Sequence, residues 1–247
     1  MAEIVGHRGA SHDAPENTLP SVRLGFEQGA DAVEVDVFAT KDGRIVVIHD
    51  PDTKRVAGVK LDVAKSTLAE LRELDVGSWK GECWAGTVIP TLEEVLEAVP
   101  EGRRLMIEVK CEKSALAQLE QAIEGSGKRD RVALISFSYP LIAQAKRMMS
   151  DVPAYWVYGF SLSERARWGN PTMLGLIRKA EKAGLDGLDL DGRGPMTKAF
   201  VDKLRAKGMD LYVWTVNDPE RARELIAMGV TGITTDRPGY LRQQLGL

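Results

Sequence analysis

Apolar positions along the chain fall into two alternating rhythms. Short β-branched and aromatic runs (EIVGH, AVEVDVF, RLMIEVK, VALISF, AYWVYGF, GLDGLDL, DLYVWTV and GITTD) have the character of strands. Between them lie stretches with apolar residues three and four apart, as in TLPSVRLGFEQ, where Leu19, Val22 and Phe26 share one face. TLEEVLEAV, SALAQLEQAIE, LIAQAKRMM, TMLGLIRKAEKAG, TKAFVDKLRAKG and PERARELIAMG repeat that pattern. Gly184, Gly208 and Gly229 close three of these helices just ahead of the next strand, as left-handed caps do. Eight strands alternating with helices predict a parallel sheet, and the count predicts closure into a (β/α)₈ TIM barrel, an α/β fold. An open doubly wound sheet is the competing architecture, weakened because no GxGxxG follows any strand.

The rhythm breaks once, over residues 51–90, where a single short helical pattern is visible around residues 68–74. This segment is too small and too poor in apolar residues for a domain. It reads as an excursion after the second strand, expected to cover the barrel mouth. The chain, residues 1–247, is therefore expected to be one barrel domain with that small insertion.

Composition narrows the function classes. A net charge of −3 and a pI near 5.8 leave no basic footprint for nucleic acid or anionic membrane. No apolar run approaches the roughly 18 residues of a membrane span, and MAEIVGHRG has no export signal, so a cytoplasmic protein is expected. Cys83 and Cys111 lack metal-motif spacing and read as two reduced thiols.

Candidate chemistry follows from strand alternation. In VEVDVF, Glu34 and Asp36 share one face and Val33, Val35 and Val37 the other. In a barrel the carboxylates then face the axis. Asp42-Gly43 signals a two-residue hairpin turn, which would set His49 opposite Asp36. In MIEVK, Glu108 and Lys110 form a similar inward pair. Three oxygen donors converging at strand ends suit Mg²⁺ or Ca²⁺ better than zinc. His7 and Arg8 end the first strand at the same C-terminal rim. Arg8 and Lys110 suit a phosphate, and a pair of His supplies acid and base. His12 reads as a surface-loop residue, and Asn17 as the N-cap of the helix beginning TLPSV, with a compatible role in the site as its secondary reading. Ser136 and Phe137 read as the end of a core strand. Asp186, Asp189 and Asp191 do not have EF-hand spacing, and EGSGKRD lacks the GK[ST] of a phosphate loop.

Taken in order, HRG…PENT, EVDV…KDG…VVIHD, IEVK, SF, VWTVN and GITTDRP resemble the signature of the glycerophosphodiester phosphodiesterase family, from residue 6 to about residue 238. The resemblance implies a (β/α)₈ barrel with an insertion after the second strand. It also implies hydrolysis of a small glycerophosphodiester to glycerol 3-phosphate and an alcohol with one divalent metal. It makes His7 and His49 the acid–base pair, Arg8 and Lys110 phosphate ligands, and Glu34, Asp36 and Glu108 metal ligands. Glu16 and Trp214 would contact substrate, Trp214 as an apolar wall for glycerol. The family-type path runs through a cyclic phosphate; direct attack by water is the other route. Alternatives are a lysophospholipid substrate, a metal-dependent barrel isomerase or aldolase, and a non-catalytic phosphate-binding barrel.

Overall fold

The computed structural model describes residues 2–163, 166 and 169–247. Its strands are β1 (Glu3–His7), β2 (Ala32–Ala39), β3 (Ile45–Val47), β4 (Arg104–Val109), β5 (Val132–Ser136), β6 (Ala154–Tyr158), β7 (Gly187–Asp191), β8 (Asp210–Trp214) and β9 (Gly232–Thr235). The order β1-β9-β8-β7-β6-β5-β4-β2, closed by β1 pairing with β2, makes an eight-stranded parallel barrel among the described residues. The anticipated eight strands are all present, and the TIM-type closure is realised. β3 is an extra strand, antiparallel to the outer half of β2.

Strand alternation divides the apolar residues between two cores. Val33, Val35, Val37, Ile107 and Val109 point outward and pack with helix residues such as Val22, Leu92 and Leu116. Val5, Ala32, Met106, Ile135, Tyr155 and Tyr212 point inward and fill the barrel. Each large buried side chain contributes about 1.5–3 kcal/mol. The N-terminal end of the barrel is closed by polar groups. There Arg104 pairs with Glu3, the Tyr212 hydroxyl donates to Glu3 at 2.8 Å, and the Tyr155 hydroxyl donates to Asp210 at 3.2 Å.

Two local expectations are corrected. The β2–β3 loop has three residues, not two: Val37 pairs with Val47 and Ala39 with Ile45, and the Gly43 amide donates to Thr40 O at 3.0 Å. Gly43 takes the left-handed conformation (φ 77°) that such a turn requires. The register moves by one, so Ile48, not His49, bonds to Asp36, through its amide at 3.0 Å. The N-cap of α1 (Leu19–Glu27) is Thr18, which accepts from the Ser21 amide; Asn17 has other work.

The excursion has two short helices, α2 (Lys54–Ala57) and α3 (Leu68–Arg72), where the pattern indicated one. Its own small core joins Val56, Val63, Leu71, Val76 and Ile89 to Val46 and Ile48 of the hairpin. The Asp75 carboxylate organises its second half by accepting from the amides of Gly77, Ser78 and Gly86. Lys80 donates to Ser11 O at 2.8 Å and fastens the insertion to the loop after β1. No helix among the described residues is long and apolar enough to cross a membrane.

The thiols differ accordingly. Cys83 is exposed on the insertion, whereas Cys111 is buried after β4 and burial pushes its thiol up to about 11. Titration with a thiol reagent should count one fast thiol in the native protein and two in denaturant. Two fast thiols without denaturant would show that the β4 rim is not packed as described.

Candidate functional site

At the C-terminal rim the chain leaves β1 through a sharp turn. Arg8 is left-handed (φ 55°), a conformation costing roughly 1–2 kcal/mol, and Gly9 follows at φ 86°. A Cβ on Gly9 would lie 2.3 Å from Ser21 Oγ, so only glycine fits against α1. The turn aims the Arg8 amide at Glu34 Oε2, 2.9 Å away. The guanidinium donates from Nη1 to Glu16 Oε1 at 2.8 Å and brings Nε to 3.3 Å from Asp36 Oδ2. Asn17, also left-handed (φ 58°), clasps Asp36 from both sides: its Nδ2 donates to Oδ2 at 2.8 Å and its Oδ1 accepts from the Asp36 amide at 3.1 Å.

Glu34, Asp36 and Glu108 meet as strand alternation indicated, each offering an oxygen within 4.8 Å of the others. Glu34 and Asp36 are almost wholly buried. Burial, then repulsion from Asp36, pushes Glu108 up to about 8; burial, then Asp36 and Glu108, raises Glu34 well above its ordinary range. Burial opposes ionisation of Asp36 as well, but Lys110, Arg8 and His49 together outweigh it and hold this carboxylate below its usual range. The Lys110 ammonium lies 2.7 Å from Asp36 Oδ1 and 3.6 Å from Glu108 Oε1, and donates to His49 O at 3.2 Å. Three hard carboxylates converging within 4.8 Å of one another fit a divalent cation such as Mg²⁺ or Ca²⁺.

His7 Nδ1 is 2.6 Å from Asp236 Oδ1, and His49 Nδ1 is 2.7 Å from Asp50 Oδ1. Both aspartates are held below the carboxylate range. Burial disfavours their ionisation, but His7, Asn217 and Ser11 overcome it at Asp236, and Arg55 and His49 at Asp50. An ionised carboxylate only accepts, so each Nδ1 carries the proton and each Nε2 is the nitrogen left to accept one. Burial also lowers the His49 imidazole, with Lys110 and Arg8 acting in the same direction against the pull of Asp36.

Trp214, half-buried at the end of β8, stands edge-on to Phe137 with centroids 5.3 Å apart and donates from Nε1 to Asp189 O. Glu16 gives both oxygens to arginines, Arg8 and Arg55. His12 is exposed and bonded to Asp13. The Ser136 hydroxyl donates to Val109 O within the strand layer. Asp186 accepts from the Ala154 amide and pairs with Lys146, and Asp191 is paired with Arg193.

Asp236, Asn217, Asp50 and Arg55 were not singled out by the sequence. Asp236 had one available signal, an ionisable residue just past a barrel strand at the C-terminal face. Asn217, which donates to Asp236 Oδ2 at 2.6 Å, had none beyond its place after the VWTV strand.

The model of the glycerophosphoryl diester phosphodiesterase family matches residues 7–240. The glycerophosphodiester phosphodiesterase of Caldanaerobacter subterraneus subsp. tengcongensis is 32% identical over 96% of this chain and 95% of its own length. One from Bacillus subtilis is 30% identical over 95% of this chain and 83% of its own length. A phosphodiesterase of Oleispira antarctica, solved in complex with the product sn-glycerol-3-phosphate, superposes with a TM-score of 0.86 at 26% identity, covering 100% of this chain and 98% of that one. A barrel with acids, imidazoles and cations gathered at one rim is thus a phosphoric diester hydrolase. The chain belongs to the glycerophosphodiester phosphodiesterase family.

Raised carboxylates are protonated below their pKa values and must lose those protons to coordinate a cation. Mg²⁺ or Ca²⁺ should therefore bind with proton release. Affinity should rise with pH up to about 8, where the Glu108 carboxyl ionises unaided. Calorimetry in two buffers of different ionisation enthalpy measures that release. An affinity flat between about pH 6 and pH 8 would contradict this account of the trio.

Proposed function

We propose that the chain hydrolyses small glycerophosphodiesters to glycerol 3-phosphate and an alcohol, with His7 and His49 as the acid–base pair. The observation that carries this reading is that each imidazole is locked by its own ionised aspartate at Nδ1, which makes Nε2 the accepting nitrogen, at the rim that gathers Glu34, Asp36 and Glu108. A protein that only bound phosphate would need neither imidazole preset in this way. The identity of the Oleispira product supports the glycerophosphate half of the substrate.

Attack on phosphorus, by a glycerol hydroxyl or by water, needs a base on the nucleophile's side and an acid on the leaving-group side. One imidazole accepts the nucleophile's proton at Nε2. The other, protonated, gives its Nε2 proton to the departing alcohol oxygen. Arg8 and Lys110 face the phosphoryl oxygens, and Glu16 acts through Arg8 by holding its guanidinium. Trp214 and Phe137 supply an apolar wall for the glycerol carbons. Glu34, Asp36 and Glu108 would hold one divalent cation, which when bound draws charge from the phosphoryl oxygens. A groove of about 760 Å³ leads away from His49, Glu108 and Lys110 past Phe38, Phe137 and Leu141 and gives the alcohol's carbon skeleton a partly apolar bed.

The test is release of glycerol 3-phosphate from glycerophosphocholine by purified protein, with chelator and then with Mg²⁺, Ca²⁺ or Mn²⁺ restored. Turnover should vanish with chelator and return with metal. His7→Ala should cost about 10²–10⁴-fold in kcat, the range of a lost general acid or base, while glycerol 3-phosphate still binds. Turnover that survives chelation or the His7 substitution would remove the metal or His7 from the reading.

A further inference from the structure

Arg55 lies in α2 of the insertion, outside every barrel strand. Its guanidinium uses three nitrogens on two carboxylates. Nη1 and Nη2 donate to Glu16 Oε2 and Oε1, each at 2.8 Å, and Nε donates to Asp50 Oδ2 at 2.6 Å. Both carboxylates have a second commitment. Asp50 Oδ1 meets His49 Nδ1 at 2.7 Å, and Glu16 Oε1 accepts from Arg8 Nη1 at 2.8 Å. One planar fork therefore spans the supports of two site groups that come from different segments of the chain.

An exposed ion pair contributes little, and the Arg55 side chain is 45% exposed. Glu16, however, is only 12% exposed, and its pairing with Arg55 is bidentate, the geometry in which a guanidinium fixes orientation as well as charge. A lysine ammonium is a point charge and cannot reproduce three donors directed at two carboxylates. We propose that Arg55 is a positioning residue that sets the His49 imidazole and the Arg8 guanidinium relative to each other, so that the insertion is a strut for the site. This rests on the reading of His49 and Arg8 as site groups.

The test compares wild-type protein with Arg55→Ala and Arg55→Lys. The imidazole readout needs no turnover. The chain has three histidines, so ¹⁵N-histidine spectra resolve each ring. In both variants the His49 ring nitrogens should move toward the average of the two tautomers, while His7 and His12 keep their shifts. With glycerophosphocholine, Arg55→Ala should lose about 10–100-fold, the usual cost of removing a group that orients a site residue, chiefly in kcat. The unfolding midpoint should barely change. Added methylguanidinium should recover part of the loss in Arg55→Ala, and lysine should not. Unmoved His49 resonances, or a loss of activity matched by a fallen midpoint with all three rings perturbed, would overturn the assignment. An inactive wild type with the expected His49 response would count against the proposed reaction and not against the clasp.

Discussion

The mutual repulsion of three carboxylates inside a protein governs how the rim of this barrel is built. Taking one ionised group out of water costs several kcal/mol; Glu34 and Asp36 are buried, and the half-buried Glu108 lies within reach of both. The rim answers that cost with donors of every kind: a main-chain amide from Arg8, a side-chain amide from Asn17, and the cations of Arg8 and Lys110. Two of these donors require a left-handed backbone, so the loop after β1 accepts local strain to deliver them. The compensation is incomplete, because Glu34 and Glu108 are still pushed toward neutrality. A site this acidic is poised for a cation.

Around that centre, control of proton position is delegated to a second ring of residues. Asp236 comes from beyond the last strand and Asp50 from beyond the β2–β3 hairpin, yet they do the same thing to two different imidazoles. Asp236 is itself held by Ser11 and Asn217, and Asp50 by Arg55. The insertion thus shares in the site it borders, and Lys80 adds a second fastening to the loop that carries Arg8.

What could be read from the chain depended on how local the cause was. The barrel was legible because its strands differ from its helices in period, and the acid trio because alternation alone assigns Glu34, Asp36 and Glu108 to one face. The position of His49 was misjudged by one residue, since Asp42-Gly43 suits both a two-residue turn and the three-residue turn found, and only the pairing of Ala39 with Ile45 separates them. For Asn17 only the cap was misplaced, since capping and clasping ask for the same side chain; the neighbouring Thr18 took the cap, and Asn17 took the place beside Asp36 that was its secondary reading. Asp236 had only its place just past a barrel strand to mark it, and Arg55 had nothing. Asp236 meets His7 across 229 positions and Arg55 meets Glu16 across 39, separations at which no periodicity operates.

The polar floor at the other end has a consequence for traffic. With Glu3, Arg104, Tyr155, Tyr212 and Asp210 bonded across the base and the apolar side chains stacked above them, the barrel is a cup and not a pipe. Substrate meets the chain at the rim, where the acids, imidazoles and cations lie, and the packed base stands behind them. Changes to the floor alter how well the cup holds together. Only changes around the lip alter what passes through it.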